Sequence, residues 1–315
     1  MYSRAMAGTV LVVNPQSAGG KTERRWPELR ATIQEAYGAF DERFTRAAGD
    51  ATEMTREALR GGAELVVAVG GDGTINEVVN GFFDGETAVS PSASFGIIPA
   101  GTGGDFIKSL NVPRETFAAA ANLKSPARAI DVGRLHYVTD GGAPAVRHFI
   151  NIASFGIGGL VDRYVNESSK AFGGKVSFAI ATLKAGAKYK NATVRLVLDG
   201  APAREGKIYN VAVANGRYFG GGMKVAPDAA LDDGWFDVVT LGDFGFGDLL
   251  FRGLDIYSGK HLKNPKVTVH RARKIEATPV DGAAEVLLDV DGEAPGRLPA
   301  TFELLQGALK VRAKA

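Results

Sequence analysis

The run Leu65-Val-Val-Ala-Val-Gly-Gly-Asp-Gly-Thr-Ile-Asn-Glu-Val78 constrains the fold more than any other part of the chain. Apolar residues 65–69 break into Gly70-Gly71-Asp72-Gly73, after which Ile75, Val78, Val79 and Phe82 recur at helical spacing. A strand that is apolar on both faces must be covered on both faces, which a parallel sheet layered with helices achieves. The glycines permit a tight turn, and the helix behind it presents its N-terminus, a common seat for phosphate. Asp72 is out of place in that picture, because its carboxylate would repel the phosphate.

The first third of the chain repeats this alternation. Residues 9–13 read as an apolar strand ending at Asn14-Pro15, 26–37 as a helix and 40–45 as a strand. Residues 50–59 read as a helix with Asp50 or Thr52 as its N-cap, and 95–98 as a buried strand closed by Pro99. The pattern predicts an open, mostly parallel α/β sheet. Ligands of such sheets bind outside the carboxyl ends of the strands. Three glycine- and hydroxyl-rich turns fall at those ends: 14–20, 70–74 and 99–105. Two familiar motifs are absent. Gly19-Gly-Lys-Thr22 would need a glycine at Pro15 to complete a P-loop, and Gly71-Asp-Gly73 would need one at Asn76 to complete a dinucleotide fingerprint.

The character changes near residue 131. Short strands with polar turns follow, with Asp-Gly pairs beginning at Asp140, Asp199, Asp233, Asp281 and Asp291. One helix, near 248–257, interrupts them. A chain of 315 residues is long for one core. The expected organisation is an α/β domain over 1–132 and a β-rich, sandwich-like domain over 133–299, with 300–315 free to return to the first.

Composition excludes several functions. With no cysteine there are no disulfides, thiolate nucleophiles or cysteine zinc sites. His136, His148, His261 and His270 are scattered without ligand spacing. A net charge of +2 gives no field directed at nucleic acid. No segment approaches the roughly 18 consecutive apolar residues of a membrane span, and the apolar run 10–13 is too short for a signal peptide. A cytoplasmic chain is therefore expected, with any membrane contact peripheral. Arg252, Lys260, Lys263, Lys266, Arg271, Arg273 and Lys274 form one basic cluster, and Lys184, Lys188 and Lys190 a second. Each reads either as a solvated face or as a surface attracted to anionic lipid.

The ordered set "VVNPQSAGGK", "GGDGTINEVVNG", "PAGTGGDF", "NGRYFGGGMKVAPDAALDDGWFDV" and "LDVDGE" resembles the diacylglycerol kinase catalytic-domain family over essentially the whole chain. That family is related to sphingosine and ceramide kinases and, more distantly, to NAD kinases. The resemblance implies ATP- and Mg²⁺-dependent phosphotransfer to a lipid hydroxyl at a membrane surface, in a cleft between the two domains. Diacylglycerol is the leading acceptor. A sphingoid-like or soluble alcohol, or a silent nucleotide-binding regulator of the same fold, is the alternative. The assembly is left open, a homodimer included.

Carried onto this sequence, the resemblance implies nucleotide contacts from Asn14, Pro15, Gln16, Ser17, Ala18, Thr45, Gly71, Asp72, Gly73, Thr74, Ile75, Asn76, Glu77 and Thr102. Asp72, Asp105 and Asp131 match acids of a network linked by metal or water; by itself Asp131 reads as a turn acid. A structural Mg²⁺ is implied on the Asp233 carboxylate and the Ala230 and Trp235 carbonyls, where spacing alone reads a hairpin turn. Glu293 matches the proton acceptor and Asp291 an auxiliary acid, again in what spacing alone reads as a hairpin. One position departs from the family pattern: Gly104 stands where an asparagine is common, beside Asp105. The stretches 153–165 and 168–190 read either as a flap admitting an acyl chain, with Lys170, Lys175 and Lys184 near headgroups, or as a core helix with a solvated lysine face.

Overall fold

A computed structural model of the chain describes residues 8–167, 189–245, 248, 253–280 and 285–314. The chain forms two compact units, Met1–Val132 with Gln306–Ala315, and Gly133–Leu305. The sequence-predicted lysines at 170, 175, 184 and 188, the flap around them, Asp281 and residues 249–252 of the 248–257 segment, Arg252 among them, lie outside the described residues; at the end of that segment a short helix spans Asp255–Ser258.

The first unit is the expected α/β layer structure. Strands β1 (Thr9–Val13), β2 (Asp41–Phe44), β3 (Leu65–Gly70) and β6 (Ser94–Pro99) run parallel in the order β6-β3-β1-β2, and the end of the C-terminal strand adds to β6. A small hairpin of β4 (Phe83–Asp84) and β5 (Thr87–Ala88) precedes β6. β1 and β3 are buried end to end, which is why they are continuous apolar runs in the sequence. Leu11, Val13, Leu65, Val67 and Val69 pack against Trp26, Leu29 and Ile33 of α1 (Ser17–Ala36) and Ala120 of α5 (Thr116–Asn122). Helices α2 (Asp50–Arg60) and α3 (Asp72–Gly81) pack against each other so closely that a Cβ on Gly81 would overlap Thr55 and lie 2.6 Å from the Thr52 carbonyl oxygen.

Register aligns the strand ends. Val13 pairs with Val69 and Gly70 with Pro99, so the turns after β1, β3 and β6 leave the sheet side by side. Pairing continues into the turns, where Asn14 N–H donates to the Val69 carbonyl (3.0 Å) and Ala100 N–H to the Gly70 carbonyl (2.9 Å). The first helix departs from expectation. It begins at Ser17 rather than near Trp26, but Ala18, Gly19 and Gly20 inside it take left-handed φ of 53°, 69° and 77°. A loop of that geometry joins β1 to the regular helix, and its charged continuation carries no apolar periodicity to reveal it.

The second unit is a β-sandwich. After β7 (Ala127–Thr139), which begins in the first unit, come β8 (Pro144–Phe149), β9 (Ile152–Gly156), α6 (Ile157–Glu167), β10 (Ala192–Leu198), β11 (Arg204–Ile208), β12 (Asn210–Ala214) and β13 (Phe236–Leu241). β14 (Val267–Ala272), β15 (Lys274–Pro279), β16 (Leu288–Val290) and β17 (Gly296–Arg312) complete it. One sheet contains β11-β10-β15-β17, with β7 and β8 beyond it, and the other runs β14-β13-β12-β9-β16. Phe149 stacks on Phe236 (5.4 Å between centroids) and Phe155 on Phe302 (5.7 Å), with Val194, Val213 and Leu288 filling the same core. Among the described residues no helix is long and apolar enough to cross a membrane.

Candidate active site

The 70–74 turn is built by contact rather than by loop flexibility. β3 ends at Gly70, Gly71 caps α3 in an extended conformation, and no side chain caps the helix. Its first N–H groups therefore lack partners within the helix and face the turn. A Cβ on Gly70 would overlap Thr74, and one on Gly101 would overlap Gly71 and lie 2.9 Å from its backbone nitrogen. Two turns thus meet backbone to backbone, which only glycine allows.

Side chains lock this junction. Asn14 Nδ2 donates to Thr74 Oγ1 (3.0 Å), while Asn14 Oδ1 accepts from Gln16 N–H (2.9 Å). Ser17 Oγ donates to the Asn14 carbonyl (2.9 Å) and lies 2.6 Å from Thr22 Oγ1, which reaches the Ala100 carbonyl (3.3 Å). Thr22 belongs to the Gly19–Thr22 tetrad that fails as a P-loop, yet it joins the first turn to the third.

Asp72 sits at the centre. Its Oδ2 accepts from Gly104 N–H (2.8 Å), and its Oδ1 is buried without a hydrogen-bond partner. Burial pushes its carboxyl above the usual carboxylate range and the Asp105 charge adds to this; N–H groups of Gly104 and Asp105 and the Arg114 charge oppose it. An orphaned buried carboxylate oxygen is a site that a cation would satisfy. The residues here fit a divalent ion, with Asp72 holding it and Asp105 nearby. Asp105 is buried and receives Lys108 Nζ at 3.0 Å.

Other predicted residues are spread more widely. Ile75 lines the depression over the turn, and Thr102 is exposed on its rim. Thr45 follows β2, its N–H donating to the Val13 carbonyl (2.9 Å). Pro15 and Ala18 are partly exposed in the first turn. Asn76 and Glu77 are engaged away from the depression. Asn76 is fully buried, its carbonyl and side-chain oxygens taken by Asn80 Nδ2, and the Glu77 carboxylate accepts from Ala51 N–H (3.2 Å) at the start of α2. Asp131 is not a turn acid but lies buried within β7, where it accepts from Gly307 N–H (2.8 Å) and fastens the C-terminal strand.

In the second unit, Asp291 adopts a left-handed φ of 51° at its hairpin. Its carboxylate accepts from three consecutive N–H groups: Ile150 (3.1 Å), Asn151 (3.1 Å) and Ile152 (3.0 Å). Asp289 braces the same turn through Ser154 Oγ (3.3 Å) and Gly292 N–H (2.9 Å). Glu293 projects from it, half-exposed, with Arg147 Nη2 3.8 Å from Oε2. Asp291 thereby holds the turn, a structural role beside the auxiliary acid implied by resemblance.

The Asp233 turn does not fit a cation. Oδ1 accepts from Trp235 N–H (3.1 Å), and Oδ2 is paired with the Arg271 guanidinium, which also lies over the Trp235 ring. The positive charge that a metal on Asp233, Ala230 and Trp235 would supply is already present. Among the described residues no group of three or more His, Asp or Glu side chains is placed to hold a metal. Much of the basic cluster is likewise engaged internally: Lys266 with Asp248, Lys274 with Glu276, and Arg273 with the Gly234 carbonyl and the Trp235 face.

An α/β unit whose strand-end turns meet on glycines, continued by a β-sandwich, is an architecture that known kinases share. The family model described as "Diacylglycerol kinase catalytic domain" matches residues 8–135, and "YegS C-terminal NAD kinase beta sandwich-like domain" matches 151–313. The chain is 30% identical over 305 residues to the diacylglycerol kinase of Staphylococcus carnosus (strain TM300), covering 96% of this chain and 93% of that one. It is 28% identical over 294 residues to the diacylglycerol kinase of Bacillus subtilis (strain 168), covering 93% and 91%. The crystal structure of a diacylglycerol kinase from Bacillus anthracis str. Sterne superposes with a TM-score of 0.70 at 24% identity, over 97% of this chain and 96% of that one. The chain belongs to the diacylglycerol kinase family and is a kinase acting on an alcohol group.

Proposed function

We propose that this kinase transfers the γ-phosphate of ATP to a lipid hydroxyl, with diacylglycerol as acceptor and phosphatidic acid as product. The observation that carries the reading is the partnerless Asp72 Oδ1 buried at the glycine turn, a carboxylate oxygen that a cation accompanying a phosphate would satisfy. Backbone N–H groups of the first turn of α3 receive the phosphate chain, and Asn14 with Thr74 holds the turn rigid. Mg²⁺, held through Asp72 and Asp105, would neutralise charge on the phosphate oxygens.

Glu293 takes the proton of the acceptor hydroxyl. As the acceptor oxygen bonds to the γ-phosphorus, the bond from that phosphorus to the β,γ-bridging oxygen breaks. ADP departs, and the proton rests on a Glu293 oxygen. Asp291 keeps Glu293 in place through the hairpin it ties to 150–152. The acceptor is met at a membrane surface by peripheral contact.

The test is transfer of ³²P from γ-labelled ATP to diacylglycerol, a sphingoid base and glycerol in mixed vesicles. Label in phosphatidic acid, lost by about 10²- to 10⁴-fold in Glu293→Gln, is expected. Label confined to the sphingoid base or glycerol refutes the acceptor, and full transfer by Glu293→Gln refutes the base.

A further inference from the structure

Arg114 lies between α4 (Asp105–Ser109) and α5, outside every motif that marks the site in the sequence. Its Nη2 donates to the Gly103 carbonyl at 2.8 Å. Among the described residues that is its one hydrogen bond, and no ion pair joins it to an acid, although Asp72 lies near enough to feel its charge. The result is an exposed guanidinium anchored by one N–H beside the glycine turn, with its remaining donors unspent.

Its seat depends on residue 104. Gly104 has φ of 131°, which L side chains rarely adopt, and a Cβ there would lie 2.5 Å from Arg114 Nη2 and 2.9 Å from Ile107 Cδ1. Any side chain at 104 would push the guanidinium away. The same loop supplies Gly104 N–H to Asp72 and the Gly103 carbonyl to Arg114, so acid and base stand on one short backbone segment. An arginine held near an orphaned carboxylate but not paired with it keeps its remaining donors for a third, anionic group whose oxygens can accept a bidentate fork, as a phosphate's can.

We propose that Arg114 binds the terminal phosphates of the nucleotide and that Gly104 is the vacancy that admits it. The proposal rests on the nucleotide reading above and deepens it. The phosphate chain is held on one side by the N–H groups of α3 and on the other by the guanidinium, which neutralises charge that the backbone alone leaves. Gly104 is then not simply a lost amide beside Asp105 but one half of a substituted pair, with the cation reaching in from ten residues downstream.

Calorimetric titration of the full chain with Mg·ATP, ADP and AMP tests this, using wild type, Arg114→Ala, Arg114→Lys and Gly104→Asn. Arg114→Ala should weaken ATP binding about tenfold to a hundredfold and ADP binding less, leave AMP unchanged, and regain affinity when guanidinium ion is added. Arg114→Lys should fall between, and Gly104→Asn should match Arg114→Ala without adding to it in the double variant. ATP affinity within twofold of wild type in Arg114→Ala overturns the proposal. So does an equal loss for AMP, which marks a loop-folding role. A wild type that binds AMP, ADP and ATP equally overturns it too, and one that binds none overturns the nucleotide reading itself.

Discussion

Replacing Asp72 by Asn should make the protein more stable and at the same time useless. The folded-state pKa of Asp72 is raised, chiefly by burial and then by Asp105, so the folded protein holds this proton more tightly than the unfolded chain does. Sign follows from linkage: the folded state is favoured while the group is protonated, and that advantage is lost as pH rises from the unfolded value near 4 through the higher folded one. At neutral pH the ionised group is a standing cost. One oxygen is satisfied by Gly104 N–H and the other by nothing, and an unsatisfied buried polar group costs about 1–3 kcal/mol. Asparagine keeps the shape and the Gly104 bond but removes the charge, so a gain of about 1–2 kcal/mol is expected after its own unpartnered amide is counted. Urea denaturation of wild type and Asp72→Asn from pH 4 to 8, without nucleotide, measures it. The difference should be small at pH 4 and grow to a plateau by neutrality. Added Mg·ATP should then stabilise wild type through binding and leave Asp72→Asn little changed. If Asp72→Asn is the less stable protein at pH 7, or if the difference ignores pH, the charge is already satisfied and the cation argument at this turn fails.

Three further outcomes follow from the site. Asp291→Ala leaves three N–H groups of 150–152 without their acceptor and should cost about 2–4 kcal/mol by denaturation, with activity falling in step; lost activity at unchanged stability would restore it as an auxiliary acid. Because Arg271 occupies the Asp233 carboxylate, EDTA should leave the melting temperature of the nucleotide-free protein unchanged; Arg271→Ala should lower stability by about 1 kcal/mol and create a response to Mg²⁺. A wild type that melts earlier in EDTA contradicts this. Gly101→Ala places a Cβ against the Gly71 backbone and should weaken ATP binding at least tenfold, read by calorimetry, while a side chain accepted without loss would mean that the two turns are not in contact.

Local chemistry decides what the sequence reveals of this fold. Strands β1 and β3 were legible because burial on both faces forces unbroken apolar runs, and the sandwich because its turns carry Asp-Gly pairs. The strand-end turns stood out because the glycines that let backbones touch are themselves unusual residues. What stayed hidden acts through space. Thr22 closes a network with Ser17 and the Ala100 carbonyl, yet its own tetrad points to a motif that is absent. Glu77 sits beside the turn in sequence but, on the far side of α3, serves α2. Asp291 looks like chemistry in its Asp-Gly-Glu triplet, although its oxygens are spent on backbone that is remote in sequence. Arg114 carries no signal of its own, since a lone arginine after a proline is ordinary; its partner is the missing side chain at 104.

That pairing alters how the aspartate in the glycine turn should be understood. A negative charge at a phosphate site is tolerable if positive charge is supplied nearby, and two sources would serve: an ion taken up by the partnerless oxygen and the guanidinium on the adjoining loop. They are not equivalent. An ion brought with the nucleotide would leave with it, whereas Arg114 is a permanent member of the loop that also positions Asp72 through Gly104. Removing the acid should therefore abolish dependence on the ion, while removing the arginine should weaken phosphate binding and leave the metal requirement in place. Calorimetric titration of Asp72→Asn and Arg114→Ala with ATP across a range of Mg²⁺ concentrations separates the two, because binding can be read in a variant that turns nothing over. Loss of the Mg²⁺ dependence in both variants would mean that acid and arginine serve one function and not two.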